Sequence, residues 1–155
     1  MRPTFAEVTP GTIETGLAAS LTSVESNTRG TLSLSAARFE KLREILWTFE
    51  LGLSYHHQNS LDQLDVEVAL GFAKPLASGF YPYVSFAVGR RASWVGSFNQ
   101  SQLTLGPSFG FRQLIGSRAG IRTEYRFRRV KSSSTANYSE QSLQIGVSLF
   151  WNNGS

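Results

Sequence analysis

The chain has 155 residues, enough for one domain, with a formal charge of +4 and a sequence pI of about 9.8. Only 17% of residues are charged, against roughly 25% in soluble domains, while 12% are aromatic and 14 are glycine. The aromatic content excludes a disordered chain, the lack of cysteine excludes disulfide scaffolds, cysteine-ligated metals and thiol catalysis, and no run approaches the roughly 18–20 apolar residues of a spanning helix. The first residues, MRPTFAEVTPGT, carry no secretion signal, which leaves a chain that stays inside the cell or one that begins at a processed or recombinant end.

Taken in chain order, nearly every segment alternates with a period of two, as a strand with one apolar and one polar face does. Segment 11–22 sets Ile13, Leu17, Ala19 and Leu21 against Glu14, Gly16 and Ser20, and 30–39 sets Leu32, Leu34 and Ala36 against Ser33, Ser35 and Ala37. Segment 46–56 runs Trp47, Phe49, Leu51, Leu53, Tyr55, with Thr48, Glu50, Gly52 and Ser54 between. Segment 62–73 runs Leu64, Val66, Val68, Leu70, Phe72, and 79–90 runs Phe80, Pro82, Val84, Phe86, Val88. The last three are 100–113 (Leu103, Leu105, Pro107, Phe109, Phe111), 119–130 (Ile121, Thr123, Tyr125, Phe127) and 140–151 (Leu143, Ile145, Val147, Leu149, Trp151). Polar, Ser/Asn/Gly-rich segments at 24–30, 56–62, 90–101 and 130–140 alternate with connections at 40–45, 73–79 and 113–119. Phe39, Leu42 and Leu46 have the spacing of one helical turn, and nothing longer is helical. About eight strands without linker or second domain predict an all-β fold, a single closed antiparallel up-and-down barrel over 1–155.

Alternation alone leaves two readings open: a soluble barrel with its apolar rows inside, or one with those rows against lipid. The polar rows decide between them. They are filled by Gly16, Gly52, Gly71, Gly89, Gly106, Gly110 and Gly146 with Ser, Ala, Thr and Gln, which suits the interior of a narrow barrel better than a solvated surface. Their charges are five acids (Glu14, Glu50, Asp65, Glu67, Glu124) and five arginines (Arg91, Arg112, Arg122, Arg126, Arg128). Residues 1–70 hold five Lys/Arg and nine Asp/Glu, whereas 71–155 hold ten and two, so early acids can meet late arginines across a lumen. Arginine suits that place because its planar fork binds carboxylates bidentately and keeps its charge when buried. The apolar rows then face a bilayer, with Trp47, Tyr55, Phe72, Phe80, Phe111, Phe127 and Trp151 as interfacial girdles at the row ends. A barrel has no edge strand to hold a proline, so Pro107 predicts a local bulge or a missing ladder bond.

The last strand, Gln144-Ile145-Gly146-Val147-Ser148-Leu149-Phe150-Trp151, resembles the C-terminal signal read by the barrel-assembly machinery of Gram-negative bacteria, through Gln144, Gly146, Leu149 and Trp151. Thr104-Leu105-Gly106-Pro107-Ser108-Phe109-Gly110-Phe111 echoes it, and Gly120-Ile121-Arg122-Thr123-Glu124-Tyr125-Arg126-Phe127-Arg128 looks like the penultimate strand of the same group. The chain resembles the small eight-stranded OmpA/OmpX-like outer-membrane barrels, which end at their final aromatic, whereas Asn152-Asn153-Gly154-Ser155 follow here. The resemblance implies a single-chain barrel in the outer membrane, with both termini periplasmic, 40–45, 73–79 and 113–119 as inner turns, and the Ser/Asn-rich segments as outer loops.

The same resemblance brings in lipid-modifying barrels, which act on lipid A or phospholipid acyl chains and pair a serine with a histidine at the outer rim. Here His56, His57, Ser132, Ser133 and Ser134 would supply them, but Val130-Lys131-Ser132-Ser133 lacks the His-x-Ser-Asn of the deacylases. Adjacent residues of a strand point to opposite faces, so His56 and His57 cannot share a metal, and no cofactor is expected. Lumen and rim positions account for Arg126, Arg128, Arg129 and Lys131 without nucleic acid. Arg90, Arg91, Arg129 and Lys131 are expected to meet lipopolysaccharide phosphates at the outer rim, above loops of about 7–12 residues. The expected function is structural, or recognition at the outer surface, with a lumen too closed for a wide pore; the alternatives are an outer-leaflet lipid-modifying enzyme or a narrow, gated channel.

Overall fold

The computed structural model describes residues 8–25, 27–76, 79–133 and 136–151. Eight strands follow one another: β1 (Ile13–Val24), β2 (Asn27–Leu42), β3 (Ile45–Gln58), β4 (Leu61–Ala73), β5 (Phe80–Val95), β6 (Phe98–Leu114), β7 (Ala119–Ser132) and β8 (Tyr138–Trp151). Each pairs antiparallel with the next, and β1 closes on β8 from Ile13 opposite Trp151 to Ser23 opposite Gln141. The result is a closed up-and-down barrel, as the period of two requires. We call the end with turns 43–44, 74–79 and 115–118 the inner end.

The strands outrun their sequence signal. Segments 24–30, 56–62 and 90–101 are mostly strand, and the connections there shrink to 25–26, 59–60 and 96–97, closed by the pairs Val24 with Asn27, Gln58 with Leu61 and Val95 with Phe98. The expected loops of 7–12 residues are therefore two-residue turns, and only 133–137 is longer. Residues 40–45 likewise hold no helical turn: β2 continues to Leu42, Phe39 points inward and is fully buried, and Leu42 is exposed. The physical reason is that alternation marks a strand only where one face is apolar. Where both faces meet water, the ladder continues while the pattern disappears. Positive φ at Glu25 (53°), Arg43 (59°), Asn59 (56°) and Gly96 (57°) starts each tight turn, so that the hairpin twist matches that of the strands.

Outward positions are large and apolar in a continuous belt, as at Leu17, Leu34, Leu53, Leu70, Phe86, Phe109 and Ile145, all 46–58% exposed except Leu53 at 42%. A soluble protein does not tolerate an exposed apolar surface far beyond a few hundred Å². The belt covers 13–21, 64–72, 80–88, 103–111 and 143–151, about nine residues per strand, the length a tilted strand needs to cross a bilayer. This is a transmembrane barrel. All seven girdle aromatics lie on the outer surface, Trp47, Phe72, Phe80, Phe111 and Trp151 at the inner end and Tyr55 and Phe127 toward the outer end.

The ladder between β6 and β7 runs from Leu103 opposite Lys131 to Leu105 opposite Arg129, then resumes at Ser108 opposite Arg126. Gly106 and Pro107 are skipped without a change of register, so the proline costs ladder bonds and no bulge. A Cβ on Gly106 would stand 2.0 Å from the Phe127 carbonyl oxygen, which only glycine allows. Pro82 lies beyond the final β4–β5 pair, where its carbonyl accepts from Lys74 N at 3.0 Å.

Candidate functional site

The inward rows build three charged layers above an apolar floor. Nearest the outer mouth, Arg91 on β5 donates Nε and Nη2 to Asp65 on β4 (2.7 Å each) and Nη1 and Nη2 to Glu140 on β8 (2.6 and 2.8 Å). Arg29 on β2 donates to the same Glu140 and to Gln63. In the middle, Arg128 on β7 grips Glu67 through Nε (2.9 Å) and Nη2 (3.2 Å). Its Nη1 donates to the carbonyls of Gly106 (3.1 Å) and Pro107 (3.0 Å), so a lumen side chain takes up backbone acceptors where the ladder is broken.

Below, Glu124 accepts from Arg122, Arg126 and Tyr83, all buried or nearly so. Arg122 also reaches Glu50 at 2.8 Å, and Arg112 joins Glu50 (3.3 Å) to Glu14 (2.7 Å), which accepts from Ser148 at 2.6 Å. The Arg112 guanidinium lies 4.0 Å from the Tyr83 ring centre, a cation–π contact. The floor is Val8, Ala37, Phe39, Leu46, Ala73, Tyr81, Leu114 and Phe150. Val8 N donates to Tyr81 Oη (3.0 Å) and Gly11 N to the Phe39 carbonyl (2.7 Å), so residues before β1 are drawn in as part of the stopper.

The ten lumen residues read from the sequence thus all take part in ion pairs, in two networks: Arg91 with Asp65 at the mouth, and Glu14, Arg112, Glu50, Arg122, Glu124, Arg126, Glu67 and Arg128 linked in series below. Arg29 and Glu140 complete the network at the mouth, making six acids and six arginines among the described residues. Both lie beyond the apolar rows, where alternation gives no signal; only their parity with Thr31 and Ser142 marks them as inward. The layers leave gaps of about 40 Å³ beneath the mouth and about 10 Å³ between Glu50 and Arg128, each with room for water molecules only. The mouth itself opens to a cavity of about 700 Å³.

The rim differs from its expected form in one respect. Arg91 is buried in the lumen and held by two carboxylates, so it cannot meet lipopolysaccharide; Arg90, Arg129 and Lys131 face outward and are exposed. Arg90 and Lys131 both flank Leu103, and Arg129 flanks Leu105. His56 is buried in the lumen, its Nδ1 against the Gly30 carbonyl, while His57 faces outward and holds Asp62 at 2.7 Å. Ser132 lies four strands round, bonded by Gln100 at 2.6 Å, and Ser133 is exposed; Ser134 lies outside the described residues, as do 152–155. Ser132 is thus on the far side of the barrel from both histidines, whereas His56 lines the gap beneath the mouth together with Ser33, Ser54, Asp65 and Glu140; among the described residues three metal-ligating side chains do not converge. Of the four residues expected to form an assembly signal, Gln144 and Gly146 face the lumen and Leu149 and Trp151 the exterior, and a Cβ on Gly146 would stand 2.5 Å from that of Ala18.

No family model matches the chain, and no curated protein matches it in sequence. Solved structures do match. Neisserial surface protein A superposes with a TM-score of 0.66 at 16% identity, over 92% of this chain and 99% of that one. The N-terminal β-barrel domain of OprF from Pseudomonas aeruginosa gives 0.67 at 12% identity, over 92% and 98%. The fold is that of the small outer-membrane barrels. The outer membrane enzyme PagL shares it, with a TM-score of 0.55 at 11% identity over 87% and 97% of the two chains. The same fold therefore carries unlike functions, and the residues must supply the role.

Proposed function

We propose that the protein resides in the bacterial outer membrane as a monomeric barrel whose role is structural or recognitive, without transport or catalysis. The observation that carries this reading is the stopped lumen, neutral in its charge pairs and closed below by Phe39, Leu46, Tyr81, Leu114 and Phe150. The surface it offers is its exterior and its outer rim, since three of the four outer connections are two residues long. Arg90, Arg129 and Lys131 sit at the outer edge of the apolar belt, level with Leu103 and Leu105, within reach of lipopolysaccharide phosphates, and point charges there favour anionic headgroups. Gln144, Gly146, Leu149 and Trp151 would be read by the barrel-assembly machinery during insertion.

The test is refolding into vesicles with and without lipopolysaccharide, followed by heat-modifiable gel migration and planar-bilayer recording. The reading expects a compact heat-modifiable band, no steady conductance, and faster or more complete folding with lipopolysaccharide that falls when Arg90, Arg129 and Lys131 become serine. A protein that stays folded and monomeric in detergent-free buffer overturns the membrane assignment. Acyl release from lipid A or phospholipid that vanishes in His57→Ala overturns the non-catalytic one.

A further inference from the structure

The outer mouth has a chemistry that neither the closed lumen nor the lipid-facing exterior uses. Its cavity of about 700 Å³ falls within the range of about 300–1,000 Å³ common to small-molecule sites. Amides dominate its polar lining, at Asn27, Gln58, Asn59, Gln63 and Asn137, with the ring of Tyr138 beside them. Its two charged residues are Glu25 and Arg29, and the charge of Arg29 is already met by Glu140. That leaves Glu25 as the remaining charge beside paired amide donors and acceptors, a lining that favours a polar neutral ligand over an anion. Arg91 Nη1 donates to Tyr138 Oη at 3.2 Å, which fixes the hydroxyl and leaves the ring as a platform.

Arg29 and Gln63 line both this cavity and the gap of about 40 Å³ below it, so the two adjoin. Arg29 and His56 line that gap, each has a buried nitrogen without a protein partner, Arg29 Nε and His56 Nε2, and His56 itself is only 5% exposed. The backbone carbonyl of Gly30 can only accept, so the neutral imidazole carries its proton on Nδ1 and presents Nε2 as a lone pair. Arg29 Nε–H can only donate. A hydroxyl group has the chemistry to serve each of them, accepting from Arg29 and donating to His56, whereas a carboxylate, a phosphate or an ether oxygen has no proton for His56.

We propose that the outer mouth is a binding site for a neutral polyhydroxyl ligand, a saccharide, which lies against Tyr138 and the amides and sends one hydroxyl down between Arg29 and His56. The cavity opens along the barrel axis, which favours a glycan arriving from outside over the sugar of a lipid in the surrounding leaflet. The ligand's place is separate from the rim cations at Arg90, Arg129 and Lys131, so it stands apart from any role of lipopolysaccharide.

The experiment uses the whole chain refolded into a detergent without a sugar headgroup, with heat-modifiable migration as the check on folding for every variant. Maltotriose is titrated while the imidazole nitrogens of His56 are followed by 15N NMR. The expected result is saturable binding, an Nε2 resonance that moves as its lone pair accepts a hydrogen bond, and at least tenfold weaker binding in His56→Phe, which fills the gap and removes the acceptor. Tyr138→Ala and the double variant Asn27→Ala with Asn137→Ala lie outside the buried gap and should each weaken binding severalfold while folding normally. Short polyethylene glycol, which only accepts, should leave Nε2 unmoved. Preferential binding of glycolipid-bearing vesicles over free maltotriose would shift the source of the sugar to the membrane and overturn entry from outside. A fixed Nε2 resonance up to tens of millimolar sugar, equal binding in folded His56→Phe, or preference for a uronate-bearing sugar would overturn the proposal itself.

Discussion

Replacing Glu124 by alanine tests the lumen network at a buried carboxylate shared by two arginines and a tyrosine. Glu124 is 1% exposed and accepts from Arg122, Arg126 and Tyr83. Its removal leaves two guanidinium groups with reduced compensation: Arg122 keeps Glu50 at 2.8 Å, but Arg126 keeps only Glu67 at 3.8 Å. Two charge-assisted bonds at about 1.5–3 kcal/mol each would sum to about 3–6 kcal/mol before relaxation. Breaking one side of a buried ion pair costs about 3–5 kcal/mol in soluble proteins, which sets the expected loss here. Glu124→Gln keeps an acceptor and loses the charge, so it should fall between the alanine variant and the parent. Arg38→Ala breaks an exposed pair with Glu40 and should cost at most about 1 kcal/mol. The assay is urea unfolding from lipid vesicles, read by tryptophan fluorescence and by loss of the heat-modifiable band, with raised salt as a second axis. Salt should leave the Glu124 effect unchanged and shrink the Arg38 effect. A Glu124→Ala loss no larger than that of Arg38→Ala would refute the view that the pairs are desolvated and structurally required.

Gly106→Ala should lower the yield of folded barrel and move the urea midpoint by more than any outward Leu→Ala change, because its Cβ meets the Phe127 carbonyl and forces β6 and β7 apart. Arginine on the lipid face should cost according to depth: Val68→Arg, near the middle of the belt, about 2–4 kcal/mol, and Leu103→Arg, beside Arg90 and Lys131, no more than about 1 kcal/mol in the same unfolding assay. Arg128→Met leaves the carbonyls of Gly106 and Pro107 without their donor, and amide hydrogen exchange should rise in β6 and β7 around the gap while the β1–β8 seam stays protected.

The barrel was legible in the sequence because a membrane makes both faces of a strand speak: Leu64, Val66, Val68, Leu70 and Phe72 on one side of β4, and Asp65, Glu67 and Gly71 on the other. Above the belt both faces meet water, and the pattern falls silent although β5 and β6 run on to Val95 and Phe98. Arg29 and Glu140 were lost there for the same reason. Arg91 was legible as inward by parity, and its placement at the rim as well assigned one side chain to two faces. Which acid meets which arginine is set by strand order and register, as between Glu14 and Arg112, 98 residues apart. The floor was hidden differently. Phe39, Tyr81 and Phe150 stand in polar rows, where an aromatic reads as an exception, and only closure of the barrel shows that such exceptions gather at one end. Leu114 joins them from beyond the last apolar row of β6.

The order in which the charges are synthesised has a kinetic meaning. Glu14, Glu50 and Glu67 belong to β1, β3 and β4, while Arg112, Arg122 and Arg128, which neutralise them, arrive with β6 and β7. A half-made sheet therefore holds unmatched carboxylates on the concave side and cannot rest in hydrocarbon as a stable arc. Loops of 61 to 98 residues must close before these pairs form, so intermediate states gain little from partial assembly. Insertion and closure are thereby tied into one cooperative event, in which the seam of β1 and β8 seals a lumen that becomes neutral only when the last strands are in place.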